Sequence, residues 1–105
     1  MAIVGKIASG TISGGSSGYQ TVVNVSGKGL LMAILESNSA GATTSNQGIK
    51  ITIDGVANTI EYGIHRIFVS HFYKLNLPFA SSLKVELDDD SSATLTYLVK
   101  YVLES

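Results

Sequence analysis

This chain has no cysteine, no tryptophan, a single proline and little charge. Each absence excludes something. Without cysteine there is no disulfide, no thiolate nucleophile and no thiolate-held metal. Seven basic and eight acidic residues leave a net charge of −1. No segment gathers Lys or Arg, so the cationic footprint of a nucleic-acid binder is missing. No apolar run approaches the roughly 18 residues that a membrane-spanning helix needs. The start, Met1-Ala-Ile-Val-Gly-Lys6, lacks the basic opening and long apolar middle of a signal peptide. It reads as strand, in a protein made in a cytoplasm, with no nucleic acid, membrane or cofactor expected as a partner.

The shortage of charge has a second consequence. Charged residues are 14% of the chain and hydrophobic ones 45%, against a typical charged quarter. A domain of 105 residues has much surface per residue, and here few charges are available to cover it. Large apolar patches rarely stay exposed, so part of the surface is expected to be buried against other subunits or partners. The length fits one domain spanning residues 1–105, with residues 1–18 as an N-terminal arm and Gly/Ser-rich linker.

What the chain does have is alternation. In Gly48-Ile-Lys-Ile-Thr-Ile-Asp-Gly55, the isoleucines at 49, 51 and 53 point one way and Lys50, Thr52 and Asp54 the other. That period of two marks a half-buried strand, and Asp54-Gly55 supplies a hairpin turn. Leu83, Val85 and Leu87 alternate with Lys84 and Glu86, and Leu95, Tyr97, Val99, Tyr101 and Leu103 share one face of the last strand. Tyr19 to Val25 alternates too, and Ser26-Gly-Lys-Gly29 reads as a tight turn. Leu30 to Leu35 is apolar without interruption, which predicts a central strand buried on both faces. Ile3 to Ile12 reads as a first strand, with apolar groups on both faces. Ile67 to Lys74 reads as a strand, while Glu61 to Arg66 reads as a connection. The lone proline, in Leu75-Asn-Leu-Pro-Phe79, marks a loop or an edge. Seven or eight short strands with no substantial helix predict an all-β antiparallel sandwich, jelly-roll-like. An immunoglobulin-type sandwich would usually show its Cys and Trp landmarks.

Chemistry-bearing residues are sparse. Ser13-Gly-Gly-Ser-Ser-Gly18 lacks the Lys-Ser or Lys-Thr ending of a phosphate loop, and no helix follows it. His65, Arg66 and His71 are the only clustered candidates for acid–base work. Two histidines six residues apart on a strand stand about 20 Å from each other, too far for one metal, so hydrogen-bonding or interface roles fit better. Asp88, Asp89 and Asp90 could offer oxygens to calcium, but no twelve-residue calcium loop surrounds them, and solvated turn acids are the simpler account. No Gly-x-Ser-x-Gly elbow occurs. Catalysis, metal and cofactor are therefore not expected. Glu36 to Gln47 is a long, nearly uncharged polar stretch, read as a surface loop. Tyr97 and Tyr101, or Tyr62 and Tyr73, could stack on a sugar, although core or interface positions suit them better.

From Tyr19 to Glu104 the order of features resembles small β-sandwich structural proteins of tailed phages and prophages. The residues that carry the likeness are Val22-Val-Asn-Val25, Gly27-Lys-Gly-Leu-Leu31, Lys50-Ile-Thr-Ile-Asp-Gly55, Leu77-Pro-Phe79, Ser81-Ser-Leu-Lys-Val-Glu86 and Leu98-Val-Lys-Tyr-Val102. The resemblance implies a virion component: a capsid decoration protein, a head or tail accessory subunit, or a fibre module. It implies homo-oligomers, trimers above all, held to capsid or tail subunits, and it brings no catalytic residue. Ile3, Val4, Ile7, Tyr97, Tyr101 and His71 are the expected interface residues. The alternative is a module of a phage tail or fibre that binds carbohydrate on the host surface.

Overall fold

Eight strands make up most of the described backbone: β1 (Ile3–Ser13), β2 (Gln20–Ser26), β3 (Gly29–Asn38), β4 (Thr44–Ile53), β5 (Val56–Arg66), β6 (Ser70–Phe79), β7 (Ser82–Asp89) and β8 (Thr94–Glu104). The computed structural model describes residues 3–13, 19–38, 44–66, 70–89 and 94–104, with no helix among them. The Ser/Gly loop after Ser13, residues 39–43 of the polar stretch, 67–69 and 90–93 lie outside the described residues.

The pairing explains the topology. β4 pairs with β5, β3 with β6, β2 with β7 and β1 with β8, all antiparallel. This is one long hairpin folded about the Asp54-Gly55 turn. Rolling it up adds the β3·β8 and β4·β7 ladders, which gives two four-stranded sheets of order β1-β8-β3-β6 and β2-β7-β4-β5. That order is a jelly roll, as the sequence predicts. The turn at its centre has both residues at positive φ, Asp54 at 52° and Gly55 at 85°, the geometry that matches strand twist in a two-residue hairpin.

The alternating residues fill the space between the sheets. Leu83, Val85 and Leu87 are fully buried, Ile49 and Ile51 nearly so, and Leu31, Ile34, Val99 and Phe79 meet them from the other sheet. Pro78 sits in β6, the edge strand of the first sheet, where a missing N–H costs no central ladder bond.

Two expectations are corrected. Residues 36–38 and 44–47 belong to β3 and β4, so most of the expected polar loop is strand, and Glu36 is fully buried. Residues 61–66 continue β5 rather than forming a connection. The strand expected over Ile3 to Ile12 is present as β1, paired along its length with β8. In the two corrected segments backbone ladder bonds, which polar residues satisfy as well as apolar ones, hold the chain.

Asp54 also locks one end of the sandwich. Its Oδ1 accepts hydrogen bonds from the backbone N–H of Ser81 at 2.7 Å, Ala80 at 3.0 Å and Ser82 at 3.1 Å, and from the Ser81 hydroxyl at 3.0 Å. The β4–β5 turn is thereby tied to the β6–β7 corner. The same corner receives Gly27 N–H on Ser81 O at 2.8 Å, and Glu104 N–H donates to Lys28 O at 2.8 Å. The N–H groups of Ser81, Ala80 and Ser82, in that order of weight, hold the Asp54 carboxyl at about 2 rather than 3.8. A depressed carboxylate pKa contributes stability above the unfolded value and loses it as pH falls through the folded one. Asp54→Asn is therefore expected to melt at a lower temperature than the parent at pH 7. The gap should close between about pH 4 and pH 2 in thermal melts followed by circular dichroism.

Candidate functional site

In an antiparallel sandwich one face of each sheet meets the core and the other is expected to be polar. Residues directly opposite each other in a ladder share a face, so the register identifies the two outer faces. On the β2-β7-β4-β5 sheet the outward rows read Thr21–Glu86–Lys50 and Asn24–Lys84–Thr52. Lys84 and Glu86 form an ion pair at 3.8 Å, and the Lys50 ammonium stands 5.9 Å from the centre of the Tyr19 ring. This face is built for water.

The outer face of the β1-β8-β3-β6 sheet is different. Its rows read Gly5–Val102–Leu30–Pro78, Ile7–Lys100–Ala33–Lys74 and Ser9–Leu98–Leu35. Ile3 and Ile7 are exposed at 67% and 64%, and Leu30, Leu35, Leu98 and Val102 shield one another only to half-burial. The uninterrupted run Leu30 to Leu35 explains why. Leu31 and Ile34 go to the core while Leu30, Ala33 and Leu35 go outward. The sequence predicts a strand covered on both faces, and the described residues supply the cover for one.

Two irregularities shape that face. Between Leu31 and Ala33, β3 carries one extra residue, Met32, relative to β8, and opposite it β6 carries an extra residue relative to β3, with Asn76 at φ 52°. Bulges bend a strand and interrupt its ladder. Here they open a groove of about 430 Å³ lined by Met32, Ala33, Leu35, Lys74, Asn76, Leu98 and Lys100. A second hollow of about 330 Å³ shares Leu35 and Leu98 and reaches Ser9 and Thr11 on β1. Asn tolerates the left-handed conformation and β-branched residues do not. Asn76→Gly should leave stability nearly unchanged, whereas Asn76→Val should cost about 1–3 kcal/mol in denaturant titrations.

The expected interface residues are distributed unevenly over this geometry. Ile3 and Ile7 are exposed on the outer face, and Val4, 40% exposed, lies at the β1 edge on the core side of the sheet. Tyr101 belongs to the core and Tyr97 packs against it, because both occupy the inward phase of β8. Neither offers its ring as an outward anchor. Tyr73 is likewise half-buried against the core, so three of the rings considered for sugar stacking face inward. The His71 backbone pairs with Glu36 and that of His65 with Ser45, while the side chains of His65, Arg66, His71 and Tyr62 lie outside the described set. Asp88 and Asp89 end β7. Among the described residues no three His, Asp or Glu side chains gather as a metal site. The groove residues Leu35, Lys74, Leu98 and Lys100 are the positions sequence reasoning missed. Their signal was present in the two-phase apolar run and in the alternate phase of β8.

No family model and no curated protein matches this chain. Among solved structures, a chain in the structure of infectious bursal disease virus Gt strain superposes over 98% of this chain with a TM-score of 0.53 at 9% identity. This chain spans about a third of the length of that viral chain, 33%. The Yersinia pseudotuberculosis-derived mitogen aligns over 99% of this chain and 89% of its own, with 16% identity and a TM-score of 0.38. The first likeness is one of jelly-roll fold.

Proposed function

We propose that this chain is a non-catalytic structural subunit of a virion, of the capsid-decoration or head/tail-accessory kind found in tailed phages. On this reading it acts by self-assembly, as a trimer, and by docking onto other virion proteins. One observation carries the reading: the outer face of the β1-β8-β3-β6 sheet is apolar where the other sheet's outer face is polar. A sheet face that no described residue covers, carrying exposed isoleucines and half-buried leucines, is a surface awaiting a partner. The fold likeness to a viral chain supports a virion setting by analogy. The test is to purify particles from the source that encodes the chain, separate heads from tails, and quantify the chain in each. A fixed copy number in one fraction, and a trimer by light scattering, are expected. A monomer absent from both fractions would sink the reading.

A further inference from the structure

The groove on the outer face has a chemical polarity that specifies its occupant. Lys100 and Lys74 flank Ala33 in one row across β8, β3 and β6. Strands lie about 4.8 Å apart, so the two lysines are rooted about 10 Å from each other on one face. Between them is a methyl group, 8% exposed. Neither lysine is ion-paired with a described residue, whereas Lys28 is paired with Glu104 and Lys84 with Glu86. Among the described residues Glu104 is the acid on this face, and its carboxylate is held by Lys28 at 3.6 Å. Two like charges left facing each other across a small residue repel, and an anion between them relieves that. Next to this cationic end lies the Leu35–Leu98 floor, and beyond it the hydroxyls of Ser9, Thr11 and Thr96.

We propose that this trench binds an extended segment of a partner protein that carries a carboxylate side chain next to apolar side chains. The carboxylate sits over Ala33 between Lys74 and Lys100, and the apolar groups lie on Leu35 and Leu98. Crossing four strands covers roughly 15 Å, about five residues of extended chain. A second copy docked groove to groove would bring lysines to meet lysines, so the groove is assigned to a different protein and the self-assembly proposed above to other surfaces of the chain. This inference rests on the reading of the face as a docking surface and adds the partner's chemistry.

The test uses a random decapeptide display library selected in parallel on the wild-type chain, on Lys74→Glu/Lys100→Glu and on Leu98→Ser. Thermal melts of all three confirm folding. Wild type should enrich peptides with Asp or Glu within three residues of Leu, Ile, Val or Phe. The charge-reversed variant should enrich Lys or Arg in their place, and Leu98→Ser should lose both by at least tenfold. A synthetic copy of the enriched peptide should bind more weakly as salt rises. Acid-free peptides, the same peptides on the charge-reversed variant, or no enrichment would each overturn the proposal. So would self-association in sedimentation that Leu98→Ser abolishes, since a second copy would then cover the face. If Leu98→Ser removes the chain from particles without any acidic preference, the docking reading stands and this inference fails. If acidic peptides bind but the chain is absent from particles, the reverse holds.

Discussion

Replacing Gly29 with alanine is expected to destabilise the domain by about 3 kcal/mol or more. Gly29 opens β3 and pairs with Phe79 on one side and Leu103 on the other. A Cβ there would be driven into the Val102 carbonyl oxygen, with the Phe79 ring edge at 2.7 Å. The carbonyl is backbone of the central ladder and cannot step aside. Phe79 is 2% exposed within the core, so it has no space to retreat into. The cost is overpacking at the seam where the first sheet's two central strands meet. Gly5→Ala is the control, since nothing lies within 4 Å of its added methyl; it should be neutral or slightly stabilising. Urea titration of the two variants measures the difference directly.

The second large effect separates neighbours on one strand. Val99 is fully buried, and Leu98 lies half-buried on the outer face. Val99→Ala removes apolar groups from a closed core and should cost about 2 kcal/mol. Leu98→Ser should change stability by about 1 kcal/mol or less while eliminating partner binding, because Leu98 is shared by both halves of the trench. A core variant that still assembles and a surface variant that folds but does not assemble would show that the two faces of one sheet do different work. A Leu98→Ser protein as unstable as Val99→Ala would place Leu98 in the fold instead.

The fold was legible where side chains alternate. Ile49, Ile51 and Ile53, then Leu83, Val85 and Leu87, and Tyr97, Val99, Tyr101 and Leu103 of β8 all face the core, because period two leaves no other way to bury them. The missing donor of Pro78 pointed to a loop or an edge, and the sheet order makes it an edge. The polar ends of β3 and β4 and the second half of β5 were not legible. Thr44, Ser45 and Asn46 are held by pairing with Arg66, His65 and Ile64, a backbone fact that leaves no side-chain signature. The docking face was half legible. Leu30 to Leu35 announced two buried faces, but the bulge at Met32 shifts the phase of every residue after it, and sequence periodicity cannot locate such a slip. Tyr97 and Tyr101 misled for a related reason. A tyrosine suits an interface as well as a core, and only the inward phase of β8 decides between them. Glu36 gave no sign of burial, since it begins a run of polar residues; its place in β3, opposite Tyr97 in register, is set by the ladder.

The most direct test of the account is to put Leu98→Ser into the encoding genome and measure how much of the chain co-sediments with purified particles, alongside its melting temperature. The account predicts a melting temperature close to that of the parent and incorporation reduced at least tenfold. Full incorporation of the folded variant would contradict it.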